Sequence, residues 1–199
     1  TAPMDEEHPL NPRSPYAATK AGADRLAYSY FVTYGLPIVI VRPFNNYGPR
    51  QHPEKLVPRF ITQALSGEPL TIHGDGHATR DWLYVDDDAE AIEAVIEADL
   101  DTVAGEVINV ATGVDISVSR IAEVVLEVLG KPSSMRTNVP ERPGQVDRHV
   151  GSTEKARELL GWSARTSFED GLERTVAWYR DNEAWWRAIG RKEARVFSS

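Results

Sequence analysis

The chain has 199 residues, 41% hydrophobic and 26% charged, with a formal net charge of −8. That length suits one domain or a large piece of one. The acidic balance, without the basic stripe a nucleic-acid binder carries, sets aside nucleic acid and anionic membrane surfaces as partners. Cysteine is absent, which removes a disulfide framework, thiolate metal ligands and a cysteine nucleophile. No apolar run approaches the length of a membrane span, and Thr1 to His8 is polar and acidic, unlike a signal peptide, so the cytoplasm is the default setting.

Residues 1–15, rich in proline and polar groups, read as a loop. Ser14-Pro15 has the chemistry of a helix N-cap followed by N1. The helix it opens is predicted over residues 16–34 and stops at Gly35, with Pro37 beyond. Ile38-Val39-Ile40-Val41 is a continuous apolar run, suited to a strand buried on both faces of a parallel sheet. Residues 42–49 follow as loop, at a strand end of the kind where open α/β sheets gather ligands. Next come a helix over residues 56–66, a strand over 70–73, a turn at Gly74-Asp75-Gly76 and an extended stretch over 80–85. Asp86-Asp87-Asp88 places acids at the positive end of a helix over 89–98. Val107-Ile108-Asn109-Val110 reads as another buried strand, and residues 118–129 as an amphipathic helix ended by Gly130 and Pro132. Residues 135–139 read as extended and 141–150 as a polar loop. Helices over 153–160 and 168–186 precede a frayed tail over 191–199. Helices alternating with short apolar strands give an α/β class. No Gly-x-Gly-x-x-Gly follows any strand, although a complete nucleotide-binding sheet opens with one.

Tyr16 and Lys20 are the first candidates for chemistry. Four residues apart on a helix, they share one face. An ammonium beside a phenol favours the phenolate, one route to a tyrosine general base near neutral pH. The plain alternative is a surface lysine packed beside a helix aromatic. Asn45, Asn46 and Tyr47 gather where the first strand ends, and asparagine amides can hold phosphate or sugar hydroxyls; turn sterics would select the same residues. Arg80, Arg142 and Arg148 suit bidentate phosphate contact or simple solvation. Asp86-Asp87-Asp88 reads as a helix cap ahead of a cation site. His8, His52, His73, His77 and His149 lack paired ligand spacing, so no metal site is expected. Trp162, Trp178, Trp185 and Trp186 read as packing residues.

In chain order, Tyr16-x-x-x-Lys20, Arg42-Pro43-Phe44-Asn45-Asn46-Tyr47-Gly48-Pro49, Gly74-Asp75-Gly76 with Arg80-Asp81-Trp82-Leu83-Tyr84-Val85, and Arg142-Pro143-Gly144 resemble the extended short-chain dehydrogenase/reductases. These are the NAD-dependent nucleotide-sugar epimerases and dehydratases. The resemblance spans residues 3–187. Within the family, Asn45 to Pro49 followed by Pro53-Glu54-Lys55-Leu56-Val57-Pro58, and Thr175 to Asn182 with Trp185-Trp186, are similar to the dTDP-glucose 4,6-dehydratases.

The resemblance implies the C-terminal part of a Rossmann-type doubly wound sheet plus the smaller α/β substrate domain. Residues 1–50 would end the Rossmann-type domain. Residues 51–190 would form the substrate domain, interleaved with late Rossmann elements around 105–130, and 191–199 a tail. Tyr16 would be the acid/base and Lys20 would hold the nicotinamide ribose of NAD, with Pro43 and Phe44 near the nicotinamide. Asn45, Arg80 and Arg142 would meet the substrate pyrophosphate. Lys55, Leu56, Ile72 and His73 would line the base and nucleoside pocket, family members having tyrosine or phenylalanine where His73 stands. Asn109 would belong to the substrate wall. The glycine-rich dinucleotide loop, the acid for the adenosine ribose, the catalytic Ser or Thr and the dehydratase Asp-Glu pair would all precede Thr1. A chain lacking the main NAD-binding half is therefore expected, with activity alone an open question. The implied reaction is 4,6-dehydration of a nucleotide sugar. A 4-epimerase is the alternative enzyme, and a non-catalytic nucleotide-sugar-binding fragment the alternative of another class. The helix carrying the Tyr/Lys pair would make a homodimer, and exposed sheet edges predict self-association.

Overall fold

The computed structural model describes residues 2–141 and 146–196, with side chains described through residue 189. The chain divides into two compact units. The first comprises Thr1–Asn46, Thr79–Asp115 and Pro143–Arg165, and the second Tyr47–Ala78, Ile116–Arg142 and Thr166–Ser199. The elements in order are α1 (Pro15–Tyr34), β1 (Ile40–Pro43), β2 (Asn45–Tyr47), α2 (Leu56–Ser66), β3 (Leu70–His73), β4 (Thr79–Tyr84), α3 (Val85–Glu97), α4 (Leu100–Val103), β5 (Val107–Val110), β6 (Asp115–Ser117), α5 (Val118–Val128), β7 (Arg136–Val139), β8 (Arg148–His149), α6 (Glu154–Leu160), α7 (Phe168–Asp181) and α8 (Glu183–Val196).

In the first unit, α1 starts as its sequence dictates. Ser14 Oγ accepts from the Ala17 N–H at 3.1 Å, and Pro15 takes the first turn, where no N–H is needed. Gly35, at φ 64°, closes the helix by donating its N–H to the Phe31 carbonyl, a conformation that side-chain-bearing residues reach at a cost. β1 pairs in parallel with β5, Ile40 opposite Val107 and Pro43 opposite Val110. This register moves the strand two residues beyond the apolar run, so Arg42 and Pro43 belong to it rather than to a loop. Residues 45–47 form β2, also where a loop was expected. β4 lies between β2 and β6, and β8 runs parallel to it. The core is Leu83, Ala91, Ile108, Val110, Ala156 and Trp162, with Val39 and Val41 packed against it.

The acid inside this core is Asp81, 0% exposed. Its Oδ1 accepts from the Thr112 N–H at 2.9 Å and the Thr112 hydroxyl at 2.7 Å. Its Oδ2 accepts from the Gly113 N–H at 2.9 Å and, more weakly, the Gly151 N–H at 3.4 Å. One carboxylate on β4 thus ties down the turn after β5 and the chain leaving β8. Gly151 has no room for a side chain: a Cβ there would lie 2.6 Å from the Phe44 ring and 2.7 Å from Ala111 Cβ. Phe44 in turn stacks on His149, ring centroids 4.6 Å apart. Burial holds the His149 imidazole below its usual range, the Arg80 charge adds to this, and Asp81 opposes it.

The second unit packs α2, α5 and α7 against one another beside the parallel pair β3–β7. Val57, Phe60, Ile61, Ile121, Val125, Leu172 and Val176 recur at helical spacing and are buried together. Buried hydroxyls find partners here: Tyr47 Oη donates to the Phe168 carbonyl at 3.1 Å, and Tyr179 Oη donates to the Gln51 carbonyl. The helix expected over 168–186 breaks at Asn182, which caps α7 with its Nδ2 on the Trp178 carbonyl at 2.8 Å. The following helix runs to Val196, where a frayed tail was expected.

Two outcomes follow from the first unit. Asp81→Ala strands several buried donors and should lower stability by about 3 kcal/mol, with Asp81→Asn, which keeps one acceptor, losing less; urea midpoints measure both. For His149 the folded state prefers the neutral ring, so its contribution to stability is whole above the ordinary value of 6.5 and declines as pH falls from there toward the lowered folded value. Unfolding titrated from about pH 7 to about pH 5 should therefore lose stability, and His149→Phe, which keeps the stack, should flatten that slope.

Candidate active site

Tyr16 is the second residue of α1 and is 74% exposed. Lys20, also exposed, follows one turn later. Among the described residues neither side chain has a hydrogen bond or an ion pair. A phenol and an ammonium on one helical face, both without a partner, can still engage a ligand. Pro43 closes β1, and Phe44 is fixed from two sides, by its N–H on the Val110 carbonyl at 2.9 Å and by its ring on His149.

Asn45 and Asn46 have opposite fates, as the alternation of an extended strand requires. Asn46 Nδ2 donates to Asp88 Oδ2 at 2.5 Å. The Asn45 amide has no partner among the described residues. Asp87 and Asp88 are not a helix cap. Tyr84 holds the N-cap position of α3, and both acids lie in its first turn with their side chains turned inward. Asp87 Oδ2 accepts from the Arg165 N–H at 3.3 Å. Burial pushes the Asp88 carboxyl above its usual range, and the Asn46 hydrogen bond opposes it in part. No three metal-ligating side chains converge among the described residues.

Arg80 is half-buried, its NH1 donating to the Thr79 carbonyl at 2.7 Å. Burial lowers its pKa and Asp147 pulls it back; a guanidinium keeps its charge through such a shift. It forms no ion pair among the described residues. Arg148, by contrast, is paired with Asp115 at 3.0 Å. Asn109, expected on a substrate wall, is 3% exposed and faces inward: its Nδ2 donates to the Met4 carbonyl at 3.1 Å, and its N–H donates to Glu6 Oε1 at 2.8 Å.

The second unit holds four more of the expected residues. Lys55 precedes α2 and forms an exposed pair with Glu54 at 3.0 Å. Leu56 opens the helix, half-buried. Ile72 is part of the core rather than a surface. His73 ends β3, with Nδ1 3.1 Å from the Pro140 carbonyl. A carbonyl only accepts, so Nδ1 carries the proton there and Nε2 is left as an acceptor in the neutral ring. Arg142 lies outside the described residues.

Sequence reading gave no structural or site role of this kind to Asp81, Asp88, His149 or Gly151. Asp81 left a trace, an acid followed by Trp82-Leu83-Tyr84 in a strand where all three neighbours are buried. The other three are defined by partners far along the chain and leave none.

A cavity of about 550 Å³ lies elsewhere in the first unit, lined by Glu6, His8, Arg25, Tyr28, Arg42 and Lys155 among others. Its cations are already engaged. Arg42 and Arg25 bind Asp24 at 2.6 and 2.5 Å, and Lys155 pairs with Glu106. Burial would raise the Asp24 carboxyl, but the two arginines outweigh it and hold it below its usual range.

The chain matches the family model described as GDP-mannose 4,6 dehydratase over residues 1–175. It is 44% identical over 185 residues to a dTDP-glucose 4,6-dehydratase of Streptomyces niveus, covering 93% of this chain and 54% of that protein. DesIV, a dTDP-glucose 4,6-dehydratase of Streptomyces venezuelae whose crystal structure contains NAD, superposes with a TM-score of 0.90 at 40% identity, over 95% of this chain and 58% of that one. A UDP-glucuronic acid 4-epimerase from Bacillus cereus, in complex with UDP-glucuronic acid and NAD, superposes with a TM-score of 0.86 at 34% identity, over 91% of this chain and 57% of that one. The chain thus spans little more than half the length of the relatives it matches, and the part it matches is their C-terminal portion. It belongs to the NAD-dependent nucleotide-sugar epimerase and dehydratase family of the extended short-chain dehydrogenase/reductases.

Proposed function

We propose that the protein containing this sequence is a cytoplasmic NAD-dependent lyase that dehydrates dTDP-glucose to its 4-keto-6-deoxy product, and that this chain supplies its acid/base residue and much of its substrate contact. The observation that carries the reading is the Tyr16/Lys20 pair: two unpartnered polar side chains one turn apart at the head of α1, in a chain 44% identical to a dTDP-glucose 4,6-dehydratase.

That pair fits a nicotinamide cofactor, since both groups are exposed and free to bond, and Pro43 and Phe44 offer an apolar edge at the end of β1. The chemistry NAD supplies when bound is acceptance and return of a hydride. Tyr16 Oη takes the proton of the sugar C4 hydroxyl as that carbon is oxidised. Lys20 Nζ, one turn along the same helical face, offers donors to ribose hydroxyls. Oxidation at C4 acidifies the C5 proton, which permits loss of water across C5–C6. Asn45, with its amide unengaged, and Arg80, a half-buried cation without an ion pair, suit the diphosphate. Lys55, Leu56 and His73 suit the nucleoside.

A 4-epimerase is the second reading, favoured by the likeness to the Bacillus cereus enzyme. Both reactions start with oxidation at C4. Product analysis separates them: a 4-keto-6-deoxy sugar from dTDP-glucose supports the lyase, and a C4 epimer without keto product removes it. If dTDP-glucose binds with no product at all, the chain acts as a binding module. Tyr16→Phe should lower kcat by about 10²- to 10³-fold with KM little changed, read in initial rates. Lys20→Met should weaken NAD binding by removing donors to its ribose, read as a rise in Kd by calorimetry.

We also propose a homodimer through α1. None of its 20 residues is buried. Leu26, Tyr30 and Tyr34 stand exposed at i, i+4 and i+8, with the Tyr30 and Tyr34 rings 5.4 Å apart, forming an apolar stripe. Sedimentation velocity should show a dimer, and Leu26→Glu should shift it to the monomer; a dimer that survives the substitution would move the interface off this face.

A further inference from the structure

We propose that Asp88 is a positioning residue, which fixes the Asn46 amide and through it the face on which Asn45 is presented. Asp88 is 7% exposed. It uses Oδ2 on Asn46 Nδ2 at 2.5 Å, and its Oδ1 has no hydrogen-bond partner among the described residues. A buried carboxylate with one oxygen idle is costly to keep, and the core gains nothing from it that an apolar side chain would not give. The contact with Asn46 is the interaction that rationalises its presence.

The chemistry explains why an acid serves. An asparagine amide is nearly symmetric in shape, and its oxygen and nitrogen can exchange places by a flip. A carboxylate only accepts, so Asn46 must turn its Nδ2 toward Asp88. The contact joins the first turn of α3 to β2, two elements separated by 42 positions in the chain. β2 is only three residues long and its ladder is a short one against β4. Alternation does the rest: with Asn46 held on the side of Asp88, Asn45 takes the other side of the strand, shared with Tyr47. Phe44, just before, is locked by Val110 and His149. Asn45 therefore sits between two fixed residues while its own amide stays free.

The part of this inference that concerns substrate rests on the proposed dehydratase reading, so the test has two independent arms. Amide hydrogen exchange over residues 44–47 reads the clamp. Initial rates with dTDP-glucose read its consequence. Asp88→Ala should speed exchange at residues 45–47 and raise KM about tenfold, with kcat nearly unchanged. Asp88→Asn keeps an acceptor for Asn46 and should restore both readouts to near the parent values. Asn46→Ala removes the other half of the contact and should give the same rise in KM, and the double substitution Asp88→Ala with Asn46→Ala should be no worse than either alone. If Asp88→Ala does not fold, Asn46→Ala decides. Unchanged exchange at residues 45–47 overturns the clamp. Faster exchange with unchanged KM overturns its role in presenting Asn45. If the parent protein leaves dTDP-glucose unchanged, the dehydratase reading fails and the exchange arm alone decides the positioning role.

Discussion

The first unit is organised around the fully buried Asp81 carboxylate. It receives four donors, from Thr112, Gly113 and Gly151, and is closed to water. A carboxylate can be carried into an apolar interior only if its lone pairs are satisfied there. Satisfying them requires the turn after β5 and the chain after β8 to converge on β4. The strand ends that present the candidate residues are therefore held by an interaction none of those residues makes. Arg80, one residue before Asp81, inherits its place, with its backbone in register against His149.

Around that anchor the polar groups separate into two populations. Asn46, Asn109, Arg42 and Arg148 are engaged by Asp88, Met4, Asp24 and Asp115. Tyr16, Lys20, Asn45 and Arg80 have no side-chain partner of that kind among the described residues. Burial usually demands partners for polar groups, so a half-buried guanidinium without an ion pair and an unengaged amide beside an engaged one are informative. Resemblance alone would have assigned Asn109 to ligand contact. Its inward amide instead fastens the N-terminal segment to β5.

Much of the fold was legible in the sequence. Ser14-Pro15 and Gly35 bound α1 because caps act through the residues that carry them. Amphipathic spacing placed α2 and α5 in the second unit, and short apolar runs marked β1 and β5. Two of the errors share one cause. β1 begins two residues later than its apolar run because its register is set by β5, more than sixty residues away. The three acids at 86–88 looked like a cap, but two are drawn inward by Asn46 and Arg165.

By itself the sequence determined the α/β class, the main helices and the apolar strands in their order, the family, and the face shared by Tyr16 and Lys20. All of these depend on local periodicity, caps, or a string of motifs read along the chain. Only the tertiary structure decided which of two adjacent asparagines is free, that Asn109 and Ile72 are interior, that Gly151 must lack a side chain to admit Phe44, and that Asp81 and Asp88 are buried. Each of these depends on a partner distant in sequence, and partnership is set by the folded backbone's geometry rather than by residue type.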